Sequence, residues 1–332
     1  MSPTSELAFA PVRDAIATGR IPGAVLGVLE PDGSRSVTLA GQAQRVPVPA
    51  PLDRGTWFDL ASLTKVVFTT TAILRLVEQG RIALDDRLTV AIPDLRQYDV
   101  AGAAERQLTF RHCLSHRTHL PAVEPFYTYG QNPATLRAFV LQREWRASPP
   151  VYSDINFILL GIALERLHGR DLRELAADGF TFGADPASSA ATERCSWRGK
   201  VMRGQVHDEN AYALGGASGH AGLFGTIDRL LDFAAGLLAG TVLSPASIAA
   251  LRTRHSATRG LGWELAHAGW SGGDLCSPET IGHTGFTGTG MWIDFATGRA
   301  WSLLTNRVHP TRHADSGIIA LRRAVGDIVS AA

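Results

Sequence analysis

Phe58-Asp59-Leu60-Ala61-Ser62-Leu63-Thr64-Lys65 is the stretch on which the reading of this chain turns. An apolar run follows it through Leu76 and closes at Gly80, which predicts a helix opening near Ser62. On such a helix Lys65, three residues on, shares a face with Ser62, so hydroxyl and amine can touch. Serine is a poor nucleophile at its free pKa. A neighbouring lysine serves as a base only where burial or a positive helix end destabilises its ammonium, and the helix N-terminus supplies such an end. S-x-x-K arises often by chance, so its weight depends on what accompanies it.

Two further segments accompany it. Tyr152-Ser153-Asp154 stands ahead of an apolar helical run from Ile155 to Leu167, where a tyrosine is commonly a packing residue. Gly282-His283-Thr284-Gly285-Phe286-Thr287-Gly288 precedes a strand predicted from Met291. Glycines there either let the backbone approach a ligand closely or mark an edge-strand bulge.

Farther out, 5–19 reads as an opening helix. Ala24 to Glu30 and Ser36 to Ala40, joined by Pro31-Asp32-Gly33, read as an antiparallel hairpin. Met291 to Phe295 and Ala300 to Thr305 repeat that pattern, and Ser316 to Ala331 has a helical period. Strand signals are sparse between Ser62 and His168. The expected fold is α/β in the α+β sense: an antiparallel sheet flanked by helices, built from both chain ends (1–60 and 200–332), with a mostly helical domain (61–199) inserted. The active site would lie in the cleft between them.

The three segments, in this order and context, resemble the penicillin-recognising serine hydrolases. The nearest likeness is to the class C β-lactamase-like branch that includes family VIII carboxylesterases and D-alanyl-D-alanine peptidases. Leu108 to His116 and Gly219 to Phe233 resemble further stretches of that branch. The resemblance implies a β-lactamase/transpeptidase-like fold, with Ser62 as the acylated nucleophile and Lys65 and Tyr152 as the proton-transfer pair. His283-Thr284-Gly285 would flank the substrate, and the backbone N–H groups of Ser62 and Phe286 would form the oxyanion hole. Asp154 and His220 are expected to contact substrate. No metal or cofactor is expected. The partner would be a small ester, amide or β-lactam, with Lys65 and Tyr152 both open as the base.

Two departures narrow this expectation. Asp154 stands where an Asn is usual, and an ionised carboxylate only accepts hydrogen bonds. His283 stands where a Lys is usual, replacing a permanent charge by a group largely neutral at pH 7, so carboxylate-bearing substrates are expected to lose an anchor. Both favour a carboxylesterase-like hydrolase of small esters or amides; the alternative is a β-lactamase or a D-alanyl-D-alanine peptidase or muropeptide hydrolase, and a catalytically silent ligand-binding relative is the reading from another class.

Composition agrees with a globular protein. The 332 residues are 45% hydrophobic and 19% charged, with a net charge of +1, which excludes a disordered chain and gives no bulk field for nucleic acid or an anionic membrane. No stretch reads as a membrane span or secretory signal. Cys113, Cys195 and Cys276 form no close-spaced pair, so a reducing, cytoplasmic setting is expected. Gly269-Trp270-Ser271-Gly272-Gly273 fits G-x-S-x-G but lacks the strand before and helix after it. His112, His116 and His119 read as structural, and His207-Asp208-Glu209-Asn210 as a polar loop with local hydrogen bonds that could also line the cleft or bind an ion. Oligomeric state is not legible.

Overall fold

The computed structural model describes residues 3–176 and 178–332. Its main sheet has seven strands: β1 (Gly23–Leu29), β2 (Arg35–Gln44), β3 (Ala50–Pro51), β9 (Glu264–Leu265), β10 (Thr280–Thr284), β11 (Gly290–Asp294) and β12 (Arg299–Thr305). They lie in the order β3-β2-β1-β12-β11-β10-β9, each neighbour antiparallel. The central pair joins the two ends of the chain, with Val25 opposite Leu304 and Val28 opposite Trp301.

Both faces of this sheet are covered, which is why β1 is apolar throughout. Ala24, Leu26 and Val28 pack with Phe9, Val12, Leu321, Val325 and the stacked Trp292–Trp301 pair. Val25 and Leu29 face the larger core, with Ile227, Leu230 and Leu231 of helix Ile227–Leu238. Gly27 permits that approach, since a Cβ there would come 2.7 Å from Ile227 Cγ1.

The predicted N-terminal helix is two, Thr4–Ala8 and Ala10–Ala17, with Pro11 near the start of the second. The C-terminal helix begins at Ile318, after Gly317 at φ 62°.

The segment 61–199 carries helices, Asp154–His168 being the longest of them, but also β5 (Thr181–Phe182) and β6 (Ala191–Cys195). β4 (Phe58–Asp59), β5 and β8 (Leu223–Gly225) form one small sheet, and β6 pairs with β7 (Lys200–Arg203). Runs of two to five residues are too short for a period of two to register.

The helix expected from Ser62 also differs. Residues 65–70 form a π-helical turn before the α-helix Thr71–Glu78. Thr70 Oγ1 donates to Lys65 O at 2.7 Å and Thr71 Oγ1 to Val66 O at 3.0 Å, so hydroxyls five residues on occupy the carbonyls that a tighter helix would use. All three cysteines are free, and Cys113 and Cys195 are buried. Among the described residues no helix is long and apolar enough to cross a membrane.

Candidate active site

Ser62 sits just after a strained turn. Ala61 has φ 48°, an uncommon conformation for a residue with a Cβ. The turn is clamped by the buried Asp59, whose carboxylate accepts from Ala61 N at 2.9 Å and His207 N at 2.6 Å. Burial pushes the Asp59 carboxyl up. The turn is also tied to the sheet, because Thr287 Oγ1 donates to Asp59 O at 2.8 Å and Thr289 Oγ1 to Leu60 O at 3.1 Å. Gly285 makes this approach possible: a Cβ there would come within 2.6 Å of Leu60 O. Ser62 and Phe286 are thereby brought to one cleft, and among the described residues neither backbone N–H donates a hydrogen bond within the protein.

Lys65 is fully buried. Its Nζ lies 2.9 Å from Ser62 Oγ, 3.1 Å from His220 O and 2.8 Å from Asp154 Oδ1, and 5.1 Å from the centre of the Tyr152 ring. Burial acts to depress its pKa, but attraction to Asp154, and then to Tyr152, outweighs burial and leaves it raised. Lys65 is therefore an ammonium that donates to Ser62 Oγ.

Tyr152 is held by the start of helix Asp154–His168. Ser153 N donates to His116 Nδ1 at 3.0 Å, Ser153 Oγ to Pro121 O at 2.7 Å and Asp154 N to Ala122 O at 2.9 Å. The His116 ring lies 4.5 Å from that of Tyr152. Burial, then Arg259 and Lys65, holds His116 well below its usual pKa, so it is neutral. On the opposite wall His283 is also buried and neutral, for the same causes in the same order. Its Nδ1 donates to Thr284 O at 3.0 Å, its Nε2 has no partner among the described residues, and its ring is 5.9 Å from Tyr152.

Ser62, Tyr152, Asp154, His283, Thr284, Gly285 and Phe286 thus line one cleft of about 540 Å³. His220 is a correction to the expected substrate contact. Its ring is 1% exposed and fixed between Ser218 Oγ at 2.8 Å and Asp208 Oδ1 at 3.0 Å, so only its carbonyl reaches the centre. Asp208 is held well below the usual carboxylate range: its burial is outweighed by His220 and further hydrogen bonds.

Donor atoms of Asp154, Asp208 and His220 lie within 4.8 Å of one another. They are already engaged, Asp154 by Lys65 and Asp208 by His220, and they act as a cradle for the ammonium. Sequence reasoning left Asp208 in a polar loop, and Arg259, Glu264, Arg307 and Arg322, which also line the cleft, carried no motif. Ser271 lies in a loop, where its Oγ accepts from Trp292 Nε1 at 3.3 Å.

Known proteins share this chain's sequence and fold. An N-acetylmuramyl-L-alanine amidase from Bacillus subtilis (strain 168) is 30% identical over 349 residues, spanning 89% of this chain and 79% of that protein. Two solved structures share the fold. EstCE1, a hydrolase with promiscuous acyltransferase activity, has a TM-score of 0.75 at 22% identity over 98% of each chain. A β-lactamase from Sulfitobacter sp. EE-36 has a TM-score of 0.74 at 21% identity, over 99% of this chain and 98% of that one. The Beta-lactamase family model matches residues 10–325, and the chain belongs to the Beta-lactamase family.

Proposed function

We propose that this protein is a serine hydrolase that cleaves small ester or amide substrates through an acyl-enzyme on Ser62. The observation that carries the reading is Ser62 Oγ, 2.9 Å from the buried Lys65 ammonium, beside two backbone N–H groups free to receive an oxyanion. Because Lys65 is held as a cation by Asp154, it cannot take the Ser62 proton in that state; the reaction starts instead from the Tyr152 phenolate, paired with the ammonium that its ring faces, and this phenolate accepts the proton and becomes the phenol. Ser62 Oγ bonds to the substrate carbonyl carbon, whose oxygen turns to the N–H groups of Ser62 and Phe286, each worth about 3 kcal/mol of barrier. Collapse breaks the bond to the leaving group, which takes its proton from Tyr152. Water then attacks the acyl-Ser62 by the reverse route.

The same machinery opens amides. Cleavage of peptidoglycan fragments or β-lactams is the second reading, favoured by the name of the Bacillus relative. Three unpaired cysteines support a reducing, cytoplasmic setting. Hydrolysis of p-nitrophenyl acetate tests the proposal. Ser62→Ala should lose at least about a thousandfold in kcat/KM with the fold intact, and activity within tenfold of wild type would refute it.

A further inference from the structure

Against the turn that carries Lys65 lies a second cavity, of about 140 Å³, which shares no lining residue with the cleft of Ser62. Its walls are apolar and buried. Val67 and Phe68 come from the π-helical turn 65–70, Leu76 from helix Thr71–Glu78, Phe180 from the loop before β5, Leu223 from β8 and Phe233 from helix Ile227–Leu238. The charged groups among its lining cancel. Arg75 pairs with Asp178 at 3.2 Å, both partly exposed, and His168 is neutral because burial, then Arg81 and Arg170, lowers its pKa. A charged occupant would leave water for a space that offers it no partner.

Size and lining narrow the occupant further. An apolar cavity of roughly 150 Å³ holds one benzene-sized ring. Phe180 meets Phe233 edge to face at 6.5 Å, and Phe68 meets Phe182 in the same way at 5.1 Å, an arrangement that a further ring extends.

The same walls belong to the catalytic turn. Leu223 O accepts from Leu60 N at 2.9 Å and Leu223 N donates to Thr64 Oγ1 at 3.2 Å, so β8 is bonded on either side of Ser62. Thr64 Oγ1 donates in turn to the carbonyl of the strained Ala61 at 2.6 Å. Val67 and Phe68 follow Lys65 in a π-helical geometry that two threonine hydroxyls hold in place. A ligand that contacts these walls favours the turn geometry that contacts it best, and a few bonds carry that preference to Ser62 and Lys65.

We propose that this cavity is a binding site for a small neutral aromatic molecule of one ring, and that filling it alters the rate of the Ser62 centre. The binding stands on the cavity alone, and the effect on rate rests on the hydrolase reading.

Fluorobenzene, followed by fluorine NMR, is the probe, and methyl butanoate is the substrate, since neither of its halves carries a ring. Wild type should bind the probe saturably, with a melting temperature that rises with probe concentration. Its kcat should shift by at least about twofold, and the shift should survive saturating substrate, as an effect of probe lodged in the cleft would not. Ala72, on helix Thr71–Glu78, also lines the cavity. Ala72→Phe fills it and should abolish both effects; Ala72→Leu fills less of it, disturbs the packing less and should weaken both. No saturable binding by wild type overturns the site, as does binding undiminished in either folded variant. Binding that leaves kcat unchanged overturns the effect on rate. Wild type that binds the probe yet turns over neither methyl butanoate nor p-nitrophenyl acetate would refute the hydrolase and uphold the site, and turnover without binding would do the opposite.

Discussion

Replacing Asp154 by Asn removes the counter-ion of a fully buried ammonium while keeping shape and one acceptor oxygen. At the observed 2.8 Å, two unit charges attract by about 6 kcal/mol at an effective dielectric of about 20. The burial of Lys65 offsets part of that, and breaking one partner of a buried pair usually costs about 3–5 kcal/mol. With an acceptor retained, we expect a loss near the lower figure at pH 7.

The loss carries a pH signature. In wild type the Lys65 pKa is raised above its ordinary 10.5, so its stabilisation is fully present below pH 10.5 and fades only as pH climbs through the raised value. In Asp154→Asn burial dominates and the pKa drops below 10.5. Folding then favours the neutral amine, and the gap between the two proteins narrows as pH rises, by up to about 1.4 kcal/mol per pH unit. Urea unfolding of both proteins between pH 7 and pH 10 measures this. A gap that stays constant or widens across that range would refute the ion pair as the dominant influence on Lys65.

Two other predictions concern catalysis. Lys65→Met and Tyr152→Phe each remove one end of a shared proton path, so the double variant should be no slower than the worse single; rate losses that multiply would show independent roles. In Gly285→Ala the new methyl would strike Thr289 Oγ1 and press on Leu60 O, displacing the turn that holds the Ser62 and Phe286 N–H groups. We expect kcat on p-nitrophenyl acetate to fall about a hundredfold, the usual cost of one oxyanion donor, and an unchanged kcat would contradict the assigned geometry.

What could be read in the sequence was local. Ser62 and Lys65 are three residues apart, and β1–β2 and β11–β12 are hairpins with turn residues between apolar runs, so local pattern alone points to them. What could not be read depends on long-range contacts. Arg259 meets Tyr152 across more than a hundred residues, and no local pattern marks it. His220 looked like a cleft residue, yet its ring is buried and held by Ser218 Oγ and Asp208 Oδ1, and no local pattern shows that packing. The histidine at 283 also gains a physical reason: a lysine there would add a third cation beside Lys65 and Arg259 in a buried wall, whereas a neutral ring with Nδ1 on Thr284 O does not.

The central claim is that Ser62 Oγ is the atom that becomes acylated. Incubating folded protein with a fluorophosphonate probe, followed by intact-mass measurement and peptide mapping, tests it without knowledge of the natural substrate. A single adduct on Ser62, absent from Ser62→Ala, is the predicted result. Folded wild type that takes up no label, or label mapped to Ser271 instead, would contradict it.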